Sequence, residues 1–292
     1  MSLISNPRVD GKRLWSRLMA MAQIGATPKG GCNRQALTDG DLEGRRLFAY
    51  WAEAAGCTVR VDAIGNLFAH RPGRRAGLPA VLMGSHLDTQ PTGGKFDGVY
   101  GVLGGLEVLE TLNDAGIETE HPLELAVWCN EEGCRFPAAM MGSAVWAGRM
   151  PLESAYALTD RGGASVRGEL ERLGIDLRAP LERQALVAAL ELHIEQGPVL
   201  EQRAKRIGIV TGVQHMSRHE VTVLGQEAHA GPTPMDMRRD PIRVLADLLP
   251  KLYAATAARG PQAKFTVGII ETYDTLCYET AAAGLGGFSL LA

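Results

Sequence analysis

The sequence predicts an α/β protein with a mostly parallel central sheet, followed by a small α+β domain. Three observations carry this. Short apolar runs break off abruptly into polar or acidic residues, a glycine-rich helical stretch lies between two of them, and the character changes near Gly212. Continuous apolar runs joined by helices read as strands buried on both faces, the habit of parallel sheets. The implied division is 1–211 and 212–292. A chain of 292 residues suits one large or two ordinary domains.

In chain order, Leu14, Leu18 and Met21 recur at helical spacing after Asp10. A second helix begins at Thr38, with Asp41 three residues on in capping-box fashion. Its apolar face carries Leu42, Leu47, Phe48 and Trp51, and Gly56 ends it. CTVRVDAIGNLFAH alternates on either side of Gly65–Asn66, a pair of strands. Then PAVLMG runs into SHLD, LELAVW into CNEEG and ALVAALEL into HIEQG, with the helix VYGVLGGLEVLETLNDAG after the first. Beyond Gly212, HEVTVLG alternates as a strand and HAGPTPMDMRRD is a turn-rich loop. Asp240 caps a helix with Pro241 at its first position, running through Leu252, and KFTVGII is a short strand.

Hydrophobic residues at 46% and charged residues at 22% describe a chain able to bury a core. A net charge of −3 offers no basic footprint for nucleic acid. No stretch reaches the ~20 apolar residues of a membrane span, and the N-terminus lacks the apolar core of a secretory signal. Five scattered cysteines, Cys32, Cys57, Cys129, Cys134 and Cys277, read as reduced thiols of a cytoplasmic protein.

In parallel sheets ligands bind beyond the carboxyl ends of the strands, and the chemistry-bearing residues gather there. His86 ends an apolar run, and Asp88 two residues on points the same way in extended chain, able to orient the imidazole. Asp97 lies among Gly93, Gly94, Gly98 and Gly101; it could bridge metal ions or cap the following helix. Glu131 and Glu132 face opposite ways, so one could ligate a metal while the other serves a bound water as general base; a solvated loop is the plainer alternative. His193 ends another run, with Glu195 and Gln196 beyond it. One shared site explains these strand ends more simply than four unrelated local roles. The His and carboxylate set suits zinc, with manganese or nickel also compatible. Cys129 and Cys134 form no second pair and read as ordinary thiols. His229, in GQEAHAGPTP, reads as a loop histidine or as a donor to a substrate oxyanion. HExxH, GxSxG, Walker A and GxGxxG patterns are absent.

At these residues the sequence closely resembles the amidase/hydantoinase/carbamoylase family of zinc-dependent amidohydrolases. The matching stretches are GSHLDTQPTGGKFDGVYGVLGGLEVLETLNDAG, NEEGCRFPAAMMGS, LHIEQGPVLE, TGVQ and GQEAHAGPTPMDMRRD, from about residue 25 to residue 270. The wording is most similar to the N-carbamoyl-L-amino-acid hydrolase branch, with allantoate amidohydrolases and β-ureidopropionases as alternatives. The resemblance implies a zinc-exopeptidase-like catalytic domain (1–211) and a lid and dimerisation domain (212–292, incomplete). It implies two divalent ions (Zn2+, or Mn2+, Ni2+ or Co2+), His86 and His193 each binding one, Asp97 bridging and Glu132 a ligand. Glu131 would be the catalytic base, Gln196 would hold a small ureido or carbamoyl substrate, and His229 would stabilise the oxyanion across a homodimer interface. A di-zinc aminopeptidase or deacylase is a nearer-fold alternative, against which ELHIEQG and GGKFDGVYG speak.

The chain also departs from the family. HMSRHE follows TGVQ, and after Tyr273 the text becomes DTLCYETAAAGLGGFSLLA, as a truncation or frameshift would produce. The expectation is a second ion weakly held or missing, no clamp for the substrate carboxylate, and, as the opposing reading, an inactive fragment that binds only metal or a partner subunit.

Overall fold

Helix α1 (Gly11–Met21) begins where the sequence places it, because the Asp10 carboxylate accepts from the N–H groups of Lys12 and Arg13. The computed structural model describes residues 7–181, 183, 185–214, 216–272 and 286–291, so His215 and Cys277 lie outside the described residues. Thr38 caps α2 (Asp39–Ala54) through its hydroxyl, which accepts from Asp41 N–H. The Asp41 carboxylate accepts instead from Leu37 N–H and the Arg45 guanidinium, a variation on the capping box. The predicted hairpin is β1 (Thr58–Val61) and β2 (Leu67–Arg71). Then come β3 (Ala80–His86), α3 (Val99–Asp114), β4 (Leu123–Trp128), the short helices α4 (Met141–Trp146), α5 (Leu152–Tyr156) and α6 (Val166–Arg172), β5 (Leu186–Leu190) and α7 (Val199–Gln202).

The five-stranded sheet runs β1-β2-β4-β3-β5. It is mixed. The β3–β4 and β3–β5 pairs are parallel, while the hairpin joins antiparallel. The parallel portion is the one whose strand ends carry the candidate site. On one face, Leu123, Leu125 and Val127 of β4 pack with Phe48, Val102, Leu103 and Leu106 of the helices. Each such fully buried side chain contributes roughly 1.5–3 kcal/mol. On the other face, Phe68, Leu82 and Ala126 meet Trp128, Trp146 and Leu186. A separate cluster under the strand ends, with Ile64, Cys129, Phe136, Met141 and Tyr156, seats the loop after β4 upon α4–α6.

The expectation that every apolar run is buried on both faces fails at β5. It is an edge strand, and Val187 and Leu190 are 55% and 59% exposed. Among the described residues it pairs only with β3; its first residue, Leu186, packs against the core, and the four that follow are exposed.

The chain divides into two compact units, Met1–Arg203 and Ala204–Ala292. In the second, β6 (Arg218–Val223), α8 (Pro241–Ala257) and β7 (Thr266–Thr272) follow the predicted strand, helix, strand order. Asp240 caps α8 as expected, and the helix continues past Leu252 to Ala257. The structure adds β8 (Gly286–Leu291), which lies between β6 and β7, antiparallel to both. Among the described residues no helix is long and apolar enough to cross a membrane.

Candidate metal centre

His86 closes β3 and is 1% exposed. Its Nδ1 lies 2.8 Å from the carbonyl oxygen of Asp88. A carbonyl can only accept, so Nδ1 carries the proton and Nε2 presents its lone pair. His193 repeats the arrangement beyond β5, with Nδ1 2.8 Å from the Ile194 carbonyl. Both Nε2 atoms face Asp97, which sits just before α3: His193 Nε2 is 3.2 Å and His86 Nε2 4.0 Å from Asp97 Oδ1. The donor atoms of His86, Asp97 and His193 lie within 4.8 Å of one another.

Two glycines of the α3 entry make this approach possible. At Gly98 φ is +66°, and a Cβ there would lie 2.4 Å from His86 Nε2. A Cβ on Gly101 would lie 2.6 Å from the Leu192 carbonyl, immediately before His193. Each histidine thus rests on bare backbone.

Asp88, fully buried, joins the histidine to the glutamates. Its Oδ1 accepts from Glu131 N–H and its Oδ2 from Glu132 N–H, both at 3.3 Å. Burial pushes the Asp88 carboxyl up to about 6, with His86 pulling the other way. Burial likewise raises Glu131, opposed by His86. At His86 burial disfavours the charged ring, but the carboxylates of Asp88 and Glu131 more than offset it and raise its pKa. Glu131 Oε2 is 3.4 Å from His86 Nε2, on the side that faces the cluster.

Glu132 stands apart from that cluster. One carboxylate oxygen accepts from the Gln90 side chain, and the other is buried without a hydrogen-bond partner. A buried, unpaired carboxylate oxygen is costly unless a cation compensates it. With two imidazole nitrogens and Asp97 nearby, the donor set fits a divalent ion such as zinc or manganese.

The remaining predicted residues are placed as follows. Gln196 donates from Nε2 to Asp97 Oδ2, so it touches the cluster through the aspartate. Glu195 accepts from Val199 and Leu200 N–H and serves as a cap of α7. His229 belongs to the second unit, where its Nδ1 accepts from Gly231 N–H at 3.1 Å. That leaves the proton on Nε2, a free donor. Cys129 is fully buried and burial raises its pKa strongly, while Cys134 is pushed up to about 11, chiefly by burial. Neither thiol joins the donor group, in keeping with their reading as ordinary cysteines.

Sequence reasoning passed over Gln90 and Arg34. Arg34 is fully buried; its Nε donates to the Leu87 carbonyl and its Nη1 to the Met21 and Ile24 carbonyls, tying α1 to the segment bearing His86 and Asp88. Its one sequence signal was an arginine inside a glycine-rich loop, which by itself points to nothing.

The chain is similar to known proteins along most of its length. The model of peptidase family M20/M25/M40 matches residues 82–281. An N-carbamoyl-L-amino-acid amidohydrolase of Rhizobium meliloti is 49% identical over 263 residues, covering 90% of this chain and 63% of that protein. A ureidoglycolate hydrolase of Arabidopsis thaliana is 35% identical over 256 residues, 85% of this chain and 54% of its own length. The crystal structure of an amidase of the hydantoinase/carbamoylase family from Burkholderia vietnamiensis superposes with a TM-score of 0.91 at 48% identity. It covers 100% of this chain and 69% of that one. The chain therefore spans less than two thirds of the length of these curated relatives.

Proposed function

Because the chain belongs to peptidase family M20/M25/M40, we propose that it hydrolyses the linear amide C–N bond of an N-carbamoyl-L-amino acid. Water is added across the bond, releasing the amino acid, carbon dioxide and ammonia. The observation that carries the reading is the meeting of His86, Asp97 and His193 with the Glu131 carboxylate 3.4 Å from His86.

His86, Asp97 and His193 would hold a divalent metal ion, and Glu132, with one buried oxygen unpaired, would be a further ligand. When bound, the ion supplies Lewis acidity toward the substrate carbonyl and lowers the pKa of water. Glu131 takes the proton of the attacking water on Oε2 and passes it to the leaving nitrogen. Burial raises its pKa and so favours its taking up the proton. Asp88 keeps the His86 ring and both glutamate backbones in register. Gln196 orients substrate beside Asp97, and the Nε2–H of His229 stabilises the oxyanion. Residues 1–211 serve as the catalytic domain and 212–292 as a lid through which two copies pair. Reduced cysteines fit a cytoplasmic setting.

The test is ammonia release from N-carbamoyl-L-methionine, allantoate and ureidoglycolate, with added Mn2+ or Zn2+. Release from the first is expected. Preference for ureidoglycolate, the reading that similarity to the Arabidopsis hydrolase favours, would move the substrate class. No turnover on any, with less than one ion bound per chain, would leave only the alternative of an inactive metal- or partner-binding fragment.

A further inference from the structure

The loop from Cys129 to Met140 carries both glutamates and has no regular structure before α4 begins at Met141. Three backbone bonds close its neck: Gly142 N–H to the Cys129 carbonyl at 2.9 Å, Met141 N–H to Asn130 at 3.3 Å and Met140 N–H to Glu131 at 2.7 Å. Arg135 ties the loop outward to the Ala36 carbonyl, Asp160 and Glu169, while the fully buried Asn130 side chain bonds across the loop itself. Its Nδ2 donates to the carbonyls of Phe136 and Ala138, both at 3.1 Å, across the loop. Its Oδ1 is buried with no hydrogen-bond partner.

That orphaned oxygen is informative. A buried polar atom left unpaired is a cost, so a carboxamide here is explained by its two donors and not by the space it fills. The backbone agrees: φ at Asn130 is +51°, a left-handed conformation that asparagine tolerates better than most side chains. Strained, fully buried polar residues of this kind gather at functional sites. Asn130 immediately precedes Glu131, whose N–H is held by Asp88 and whose carbonyl is held by Met140.

We propose that Asn130 is the positioning residue for Glu131 and Glu132. By bonding the Phe136 and Ala138 carbonyls it fixes the loop that aims the Glu131 carboxylate at His86 and leaves one Glu132 oxygen buried without a partner. The inference rests on the metal-centre reading above, and the experiment separates the two.

The variants are Asn130→Asp, which keeps shape and backbone preference but removes both donors, and Asn130→Gly, which keeps the left-handed backbone without the side chain. Both are made in the full chain, beside His86→Ala and the pair Glu131→Ala/Glu132→Ala. Mn2+ binding is followed by calorimetry and folding by far-UV circular dichroism. Loss of an outer-sphere partner of this kind typically weakens metal binding or activity by about 10- to 100-fold, and that loss is expected for both Asn130 variants, with the dichroism retained. Adding Asn130→Gly to the double-alanine chain is expected to weaken Mn2+ binding no further, since the groups it positions are gone. Binding unchanged in both Asn130 variants overturns the proposal, as does a full additional loss in the double-alanine background. Loss of the folded spectrum in both variants overturns it too, by assigning Asn130 to the fold at large. His86→Ala binding Mn2+ like the parent chain overturns the metal centre itself, and this proposal with it.

Discussion

Replacing Gly98 by alanine tests the cradle beneath His86. The added Cβ would sit 2.4 Å from His86 Nε2 and 2.5 Å from Cδ2 and Cε1. Comfortable carbon contacts begin at about 3.5 Å, so ring and backbone must part by about 1 Å. The ring has little room to yield: it is 1% exposed and its other nitrogen is bonded to the Asp88 carbonyl. Alanine at φ +66° adds a backbone cost of about 1–2 kcal/mol. Overpacking adds about 1–3 kcal/mol. The sum is about 2–5 kcal/mol, which for a unit of some 200 residues lowers the melting temperature by roughly 4–20 °C. Because the displaced atom is the nitrogen that faces Asp97 in the proposed metal site, Mn2+ affinity should fall together with stability. Melting by circular dichroism and calorimetric titration of Mn2+ measure the two effects. A variant that melts within a degree of the parent and binds Mn2+ equally well would refute the packing argument.

Three further outcomes follow from the same geometry. Gly101→Ala should push on the Leu192 carbonyl and so displace His193; ordinary backbone at that position predicts a smaller stability loss than at Gly98, with Mn2+ binding still weakened. Glu131→Gln should leave Mn2+ stoichiometry intact while lowering kcat for ammonia release by about 10²–10⁴, the usual worth of a general base; near-normal turnover would dismiss Glu131 from that role. Asp62 is raised by burial to about 6, so its contribution to stability is present below the ordinary carboxylate value and lost as pH rises through about 6. Asp62→Asn should therefore flatten a decline on the order of 3 kcal/mol between pH 4 and pH 7 in urea denaturation, and an unchanged slope would reassign the source.

The convergence of candidate residues was legible because strand ends depend on one-dimensional pattern. An apolar run that stops at a polar residue marks a strand end whatever surrounds it, and His86, Asp97 and His193 do converge. The surroundings of β5 were not legible. The run Leu186–Leu190 reads as interior, yet its burial depends on which layers cover the sheet, which no local pattern encodes. The role of Asn130 was hidden for a similar reason: hydrogen bonds to residues six and eight positions on arise from loop shape, not from spacing. Glu132 was visible as an acidic residue but not as a partner of Gln90, since the two are 42 residues apart. In the second unit the stretch after Tyr273 offered no recognisable wording, and Gly286–Leu291 nonetheless supplies the middle strand of its sheet. Pairing there is made by backbone groups, which any short uncharged run can offer.

The edge formed by β5 has a practical consequence for handling the protein. Leu-Val-Ala-Ala-Leu is uncharged, free of proline and glycine, and presents a row of backbone donors and acceptors with half-exposed valine and leucine beside it. Natural edges are usually blunted by a lysine, a proline or a bulge; this stretch has no lysine or proline, and its one irregularity is a register shift against β3 that skips Val187. Uncharged segments of this composition favour intermolecular strand addition, a tendency that the irregularity at Val187 counteracts.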